Sequence, residues 1–307
     1  LIKTGLIAPA VACAIVAVAA TAIEPDFYPT ALVPADNPST AEKVALGERL
    51  FREPALSVTG HFSCASCHQP DQHFTDGLPV AIGATGERLT RNTPTLYNVA
   101  FNASLNWDDQ GLTRLEDQHL VPLLNDNPVE MGYDASLLAD LLKDPAYASA
   151  FDAAFPGQTI TTRELAQAIA AYVRTIRAPV SAFDRYLFFD EQSALSAEAR
   201  AGMSLFFSER TGCSHCHASL NFSGAVVHEL QQALPVFHVT GVGGSEHAFR
   251  APTLRAIRHT QPYMHDGSLE SLPAVLDHYQ STQAERVPKF SLSGTETAQL
   301  IAFLESL

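Results

Sequence analysis

The chain has 307 residues, 46% of them hydrophobic and 17% charged. That length allows two domains of ordinary size, and that composition belongs to a packed globular protein and excludes a disordered one. The net charge is -14, which argues against a nucleic-acid partner, because phosphate binding needs a basic face; a positively charged protein partner is compatible with it.

The first segment reads as a targeting sequence. Lys3 is its only charge before Glu24, an apolar run extends from Leu6 to Ala20, and Ala20-Thr21-Ala22 has the small-x-small form of a cleavage site. Residues 1–22 are therefore expected to be a signal peptide that exports the chain. The run is short for a full span, so no stable membrane insertion is expected after cleavage; an uncleaved anchor is the alternative. Cys13 leaves with this segment, and four cysteines remain.

Those four form Cys64-Ala65-Ser66-Cys67-His68 and Cys213-Ser214-His215-Cys216-His217. C-x-x-C-H is the attachment sequence of c-type haem: each cysteine adds to a vinyl group and the histidine ligates the iron. A single zinc site made of all four cysteines would leave both histidines unexplained. A thioredoxin-like redox pair would need a βαβ pattern that is not found.

The rest of the chain repeats around these motifs. A helix is expected from the capping box Ser39-x-x-Glu42, leading into Gly47-x-x-Leu50-Phe51; Gly202-x-x-Leu205-Phe206 precedes the second haem motif. Phe74-Thr75-Asp76-Gly77 corresponds to Phe222-Ser223-Gly224, and Arg91-Asn92-Thr93-Pro94-Thr95-Leu96 to Phe249-Arg250-Ala251-Pro252-Thr253-Leu254. Trp107-Asp108 then corresponds to His265-Asp266, and Leu112 and Leu115 to Leu269 and Leu272. Thr161-x-x-Glu164 opens a helix with Leu165, Ile169, Tyr172, Val173 and Ile176 on one face, and Ser293-x-x-Glu296 opens the last, with Leu300, Ile301, Leu304 and Leu307 inward. No long alternating strand pattern appears. The expected fold is all-α: two tandem cytochrome c-like domains, each wrapping one covalent haem, with long loops. Their expected bounds are 23–178 and 194–307, joined by a linker at 179–193.

Whether a haem carries electrons or reacts depends on the position opposite its histidine. Extending the repeat places Pro122 opposite Tyr279. Tyrosine can ligate iron and proline cannot, so the haem at His217 is expected to be closed by Tyr279 and the haem at His68 left open. Met264, His265 and His278 are rival ligands for the second iron, Met264 foremost. An open haem needs acid–base help to split peroxide. Gln118 and Glu130 follow or flank Pro122 and are candidates to supply it; a surface or capping role for Glu130 is the bland alternative. His73 and His119 are further candidates, each read as a surface or satisfied histidine, and Met131 as a core residue. Trp107, the only tryptophan, is placed to relay electrons between haems or simply to fill core. Gly241-x-Gly243-Gly244 is not a nucleotide signature, since it does not open a helix after a strand.

Together these motifs, with Asn127-Pro128-Val129-Glu130-Met131 and Pro262-Tyr263-Met264-His265-Asp266-Gly267, resemble the bacterial diheme cytochrome c peroxidase and MauG superfamily over nearly all of the chain. The resemblance implies a periplasmic enzyme that uses hydrogen peroxide. Tyr279 stands where MauG-like enzymes place Tyr and peroxidases place Met. Ala84 stands where many peroxidases carry a histidine that must leave before peroxide binds, which implies a permanently open first haem. By the same resemblance Trp107 matches the inter-haem tryptophan, Gln118, Pro122 and Glu130 match the distal pocket, and Asn92, Thr260 and Pro262 match a calcium site. The Pro122-to-Glu130 spacing is longer than the usual peroxidase pattern, and together with Leu205-Phe206-Phe207-Ser208-Glu209-Arg210 before the second haem motif and Asn221-Phe222-Ser223 after it resembles the branch that includes the methanobactin-associated diheme enzymes. The implied activity is oxidation of a partner protein side chain through a high-valent diheme state. The alternatives are a peroxidase fed by a small c-type cytochrome, or a diheme electron carrier with no enzymatic role.

Overall fold

A computed structural model describes residues 27–227, 232–234, 236–282 and 287–307; the expected signal segment and Cys13 lie outside them. Thr40 caps the first helix, α1 (Ala41–Phe51), its hydroxyl accepting from the Lys43 N–H at 3.2 Å. This corrects the expected Ser39–Glu42 box: Thr40 is the residue in extended backbone that supplies the cap, so the helix begins one residue later. The motif turn α2 (Cys64–Cys67) follows. Then come α3 (Leu115–Gln118), α4 (Leu120–Leu124), α5 (Ala135–Leu141) and α6 (Pro145–Ala154). Helix α7 (Thr162–Val173) opens with the reciprocal Thr161–Glu164 capping box.

Gly47 explains itself at the crossing of α1 and α7. A Cβ there would sit 2.0 Å from the Ala168 carbonyl oxygen, so only glycine lets the helices approach this closely. Around the crossing Leu46, Leu50, Leu165 and Ile169 are buried, each contributing on the order of 1.5–3 kcal/mol.

The second half repeats the device. In α9 (Ala197–Phe206) and α11 (Gly294–Leu304), a Cβ on Gly202 would lie 1.8 Å from the Gln299 carbonyl oxygen. Between α9 and α11 runs α10 (Leu272–Ser281). A separate core cluster gathers Phe206, Phe222, Leu300 and Phe303. The repeat extends to backbone turns: Asn98 and Ala256 both adopt φ 56, and Phe74 and Phe222 adopt φ 60 and 49.

The segment expected as linker, 179–193, holds α8 (Ala182–Phe188), which starts with a Ser181–Asp184 capping box. Phe183 packs on Phe222 and Phe303, and Asp184 pairs with the buried Arg255 at 2.6 Å. The helix is thereby seated on the second cluster.

The protein is helix-dominated, with a few strands that the sequence did not announce. β1 (Ala225–Val227) pairs antiparallel with β2 (Gln232–Leu234), and β3 (Phe237–Val239) with β4 (Ala248–Arg250). Three residues are too few to display an alternation. The halves are joined by backbone hydrogen bonds from Asn92 N–H to His265 O at 2.8 Å and from Arg250 N–H to Trp107 O at 2.7 Å. Among the described residues no helix is long and apolar enough to cross a membrane.

Candidate haem sites

Each C-x-x-C-H motif faces its own cavity. Cys64, Cys67 and His68 line one; Cys213, Cys216 and His217 line the other. The cysteine pairs are not joined to one another. His68 donates from Nδ1 to the Phe74 carbonyl at 3.1 Å. His217 donates from Nδ1 to the carbonyls of Phe222 at 3.0 Å and Pro252 at 3.1 Å. The repeated Phe turns thus hold both imidazoles alike, with the Nε2 lone pair presented, as metal-ligating histidines require. Burial keeps both rings neutral, pushing His217 down to about 4 and lowering His68 as well.

The Pro-Thr motifs explain why these turns hold. Thr95 Oγ1 donates to the His73 carbonyl at 2.7 Å, and Thr253 Oγ1 to the Asn221 carbonyl at 2.6 Å. Each ties its strand-like segment to the loop that follows the haem motif.

The cavity of His68 is also walled by Gln118, His119, Pro122, Glu130 and Met131. The helix is interrupted at His119, between α3 and α4, yet Gln118 and Pro122 still share the wall. The longer Pro122-to-Glu130 spacing does not displace the glutamate. Met131 N–H returns to the Pro122 carbonyl at 3.1 Å and Tyr133 N–H to the Leu123 carbonyl at 3.1 Å, so the extra residues loop outward. Glu130 Oε1 accepts from Asn125 Nδ2 at 3.2 Å, and burial pushes its carboxyl above the usual range. Ala84 donates its N–H to the Glu130 carbonyl at 2.7 Å, which ties its loop to the glutamate backbone. Met131 belongs to the core cluster. His73 stacks on His259, with ring centroids 4.2 Å apart, and lines neither cavity.

In the second cavity Tyr279 shares the walls with His217, and burial pushes its hydroxyl up strongly. Met264 lines this cavity too. His278 does not: its Nε2 is engaged with the Thr240 carbonyl at 2.8 Å. His265 lies flat on Phe249, centroids 3.7 Å apart.

Six residues line both cavities: Trp107, Arg250, Pro252, Ile257, Tyr263 and Met264. Arg250 tests whether haem fits. It is buried, no carboxylate pairs with it among the described residues, and burial alone lowers its guanidinium to about 10. Its hydrogen bonds go to neutral oxygens of Asn106, Ser223 and Ala251. A buried cation in this state needs an anion, and haem propionates are anions that two C-x-x-C-H cavities would bring. His265 adds a buried Nδ1 with no hydrogen-bond partner among the described residues. The residues present therefore fit two haems.

Asn92, Thr260 and Pro262 share the first cavity's wall. Asn92 spends its amide N–H groups on the carbonyls of Leu78 and Pro79 at 2.9 and 3.3 Å, which turns Oδ1 the other way. No group of three or more His, Cys, Asp or Glu that could hold a metal occurs among the described residues. A calcium ion here would rest on neutral oxygens, a donor type it accepts.

Two residues escaped the sequence reading. Arg250 occupies the repeat position of Asn92, and a charge present in only one copy was the available signal. His238, buried in β3 and lining the second cavity, stands outside every motif and carried none.

Residues 41–193 match the family described as di-haem cytochrome c peroxidase. The chain is 36% identical over 299 residues to the methylamine utilization protein MauG of Methylophilus methylotrophus, covering 92% of this chain and 86% of that protein. It is 32% identical over 285 residues to cytochrome c551 peroxidase of Pseudomonas aeruginosa, covering 88% and 80%. Among solved structures it resembles a MauG-like protein associated with microbial copper homeostasis, with a TM-score of 0.82, 34% identity, and coverage of 92% of this chain and 94% of that one.

Proposed function

The chain belongs to the di-haem cytochrome c peroxidase family and is a peroxide-dependent di-haem oxidoreductase; within that family we propose a MauG-like role, the oxidation of an aromatic side chain on a partner protein in the periplasm. The observation that carries this reading is the asymmetry of the repeat: Tyr279 lines the cavity of His217, while Pro122 lines that of His68.

Cys64, Cys67, Cys213 and Cys216 would hold the two haems covalently, with His68 and His217 as iron ligands. Tyr279 would supply a second protein ligand in the cavity of His217, whereas Pro122 could supply none in the cavity of His68. When bound, the haem pair supplies the capacity to take up the two oxidising equivalents of peroxide. The chain's own residues do the rest. Gln118 and Glu130 would orient peroxide and handle its protons, Pro122 offers no iron ligand from its place on the first cavity's wall, and Trp107 would carry electrons between the cavities. Asn92, Thr260 and Pro262 would hold calcium on the same wall.

A second reading is favoured by Met264, which also faces the second cavity. If Met264 rather than Tyr279 ligates there, the site suits a peroxidase fed by a small c-type cytochrome. The ferric spectrum of Tyr279→Phe separates the two. Loss of the wild-type low-spin signal supports tyrosinate ligation; an unchanged signal assigns the position to Met264.

A further inference from the structure

We propose that Arg250 binds a carboxylate of the second haem and, through its fixed charge, raises that haem's reduction potential; this rests on the reading of His217 as a ligand of a covalent, low-spin haem. The two repeats differ in charge at one matched position, where the first half has Asn92 and the second Arg250. Their backbones play the same part. Asn92 N–H donates to the His265 carbonyl at 2.8 Å, and Arg250 N–H to the Trp107 carbonyl at 2.7 Å. Their side chains do not. Asn92 carries no charge, whereas Arg250 puts a cation into the wall of the second cavity.

The guanidinium is anchored to the frame that holds His217. Arg250 is 5% exposed. Its Nη1 donates to Ser223 Oγ at 3.0 Å and to the Ala251 carbonyl at 3.3 Å, and its Nε to the Asn106 carbonyl at 3.1 Å. Ser223 and Ala251 adjoin Phe222 and Pro252, the two residues whose carbonyls accept from His217. So although Arg250 borders both cavities, two of its three hydrogen bonds tie it to the second iron ligand's surroundings. Nη2 makes no hydrogen bond among the described residues and is the arm left for a ligand.

That cation lacks a protein counter-charge. Among the described residues no aspartate or glutamate lines the second cavity, and no carboxylate pairs with Arg250. The phenol of Tyr279 and the thiols of Cys213 and Cys216 are acids on that wall, but the same reading commits them to the iron and to the haem vinyl groups. A buried guanidinium is costly unless an anion meets it, and its planar fork suits a carboxylate. The haem carboxylates are the anions that remain. Reduction adds one negative charge to a haem, so a cation held in the same buried cavity favours the reduced state. The first haem has only neutral Asn92 at the equivalent position.

The test is a spectroelectrochemical titration of the full-length protein as wild type, Arg250→Gln and Arg250→Lys. Mass spectrometry first counts covalent haems, and the low-spin and high-spin spectra tell the two apart. We expect Arg250→Gln to move the reduction equilibrium of the low-spin haem at least about tenfold toward the ferric state, a fall in midpoint of about 59 mV, with the high-spin haem moving less than about threefold. Arg250→Lys keeps the charge, so it should recover most of that shift at neutral pH and lose it as pH rises toward about 10 and the ammonium gives up its proton. The wild type should show no such loss, because arginine stays protonated. The lysine variant decides the matter by itself if Arg250→Gln does not mature. Unchanged midpoints in Arg250→Gln, a shift confined to the high-spin haem, or a lysine variant that tracks the wild type up to about pH 10 would each overturn the assignment. A wild-type protein without two covalent haems, or without a low-spin one, would instead overturn the reading of the second haem, and the proposal with it.

Discussion

Trp107 donates its indole N–H to the main-chain carbonyl of Asn92 at 2.9 Å, buried between the two cavities. An amide carbonyl is not a base at any physiological pH, so an electron can leave this indole but its proton stays. Electron passage through Trp107 should therefore show no solvent deuterium isotope effect. Trp107→Phe should leave both ferric spectra intact and slow oxidation of the partner at least about tenfold, the order expected when a relay is removed but neither reacting centre is touched. An isotope effect well above unity would place a proton transfer in the relay.

Glu130 carries a cost in stability. Burial raises its carboxyl pKa above the ordinary value. Between those two values the folded state binds more protons than the unfolded one, so stability falls as pH rises through that window. Glu130→Gln should remove that dependence, raise the melting temperature at neutral pH, and slow peroxide consumption by about 10²-fold. The Asn125 contact survives if the Asn125 amide turns over. Melting curves recorded across the pH range, alongside peroxide kinetics, read both effects.

The paired glycines give a test of the fold. A Cβ at Gly47 or Gly202 would collide with backbone, at 2.0 Å from Ala168 O and 1.8 Å from Gln299 O. Backbone cannot step aside as a flexible side chain can. Gly47→Ala and Gly202→Ala should each cost about 1–3 kcal/mol or more, lowering the melting temperature by about 5–10 °C. Gly60→Ala is an instructive contrast: its Cβ meets nothing within 4 Å among the described residues, and only its φ of 67 is strained.

Much of this arrangement could be read in the chain because it is written twice. The haem motifs, the glycines at the helix crossings and the Phe turns that orient His68 and His217 recur at matching positions, so each copy checks the other. Thr161 and Ser293 were legible as caps because their glutamates close the box locally; Ser39 misled because Thr40 beside it serves equally well. Tertiary facts were not legible. Nothing local says that Arg250 is buried with no carboxylate paired to it among the described residues. Three-residue strands such as β3 leave no periodic trace, so His238 stayed hidden with them.

The most direct measurement adds one equivalent of hydrogen peroxide to the purified diferric protein and follows both haems by optical and EPR spectroscopy. The expected result is the joint loss of a high-spin and a low-spin ferric signal, reporting an open first haem, a closed second haem and communication between them across Trp107. No reaction until one haem has been reduced would contradict the MauG-like reading in favour of a cytochrome-fed peroxidase, and no reaction even then would contradict the open haem at His68.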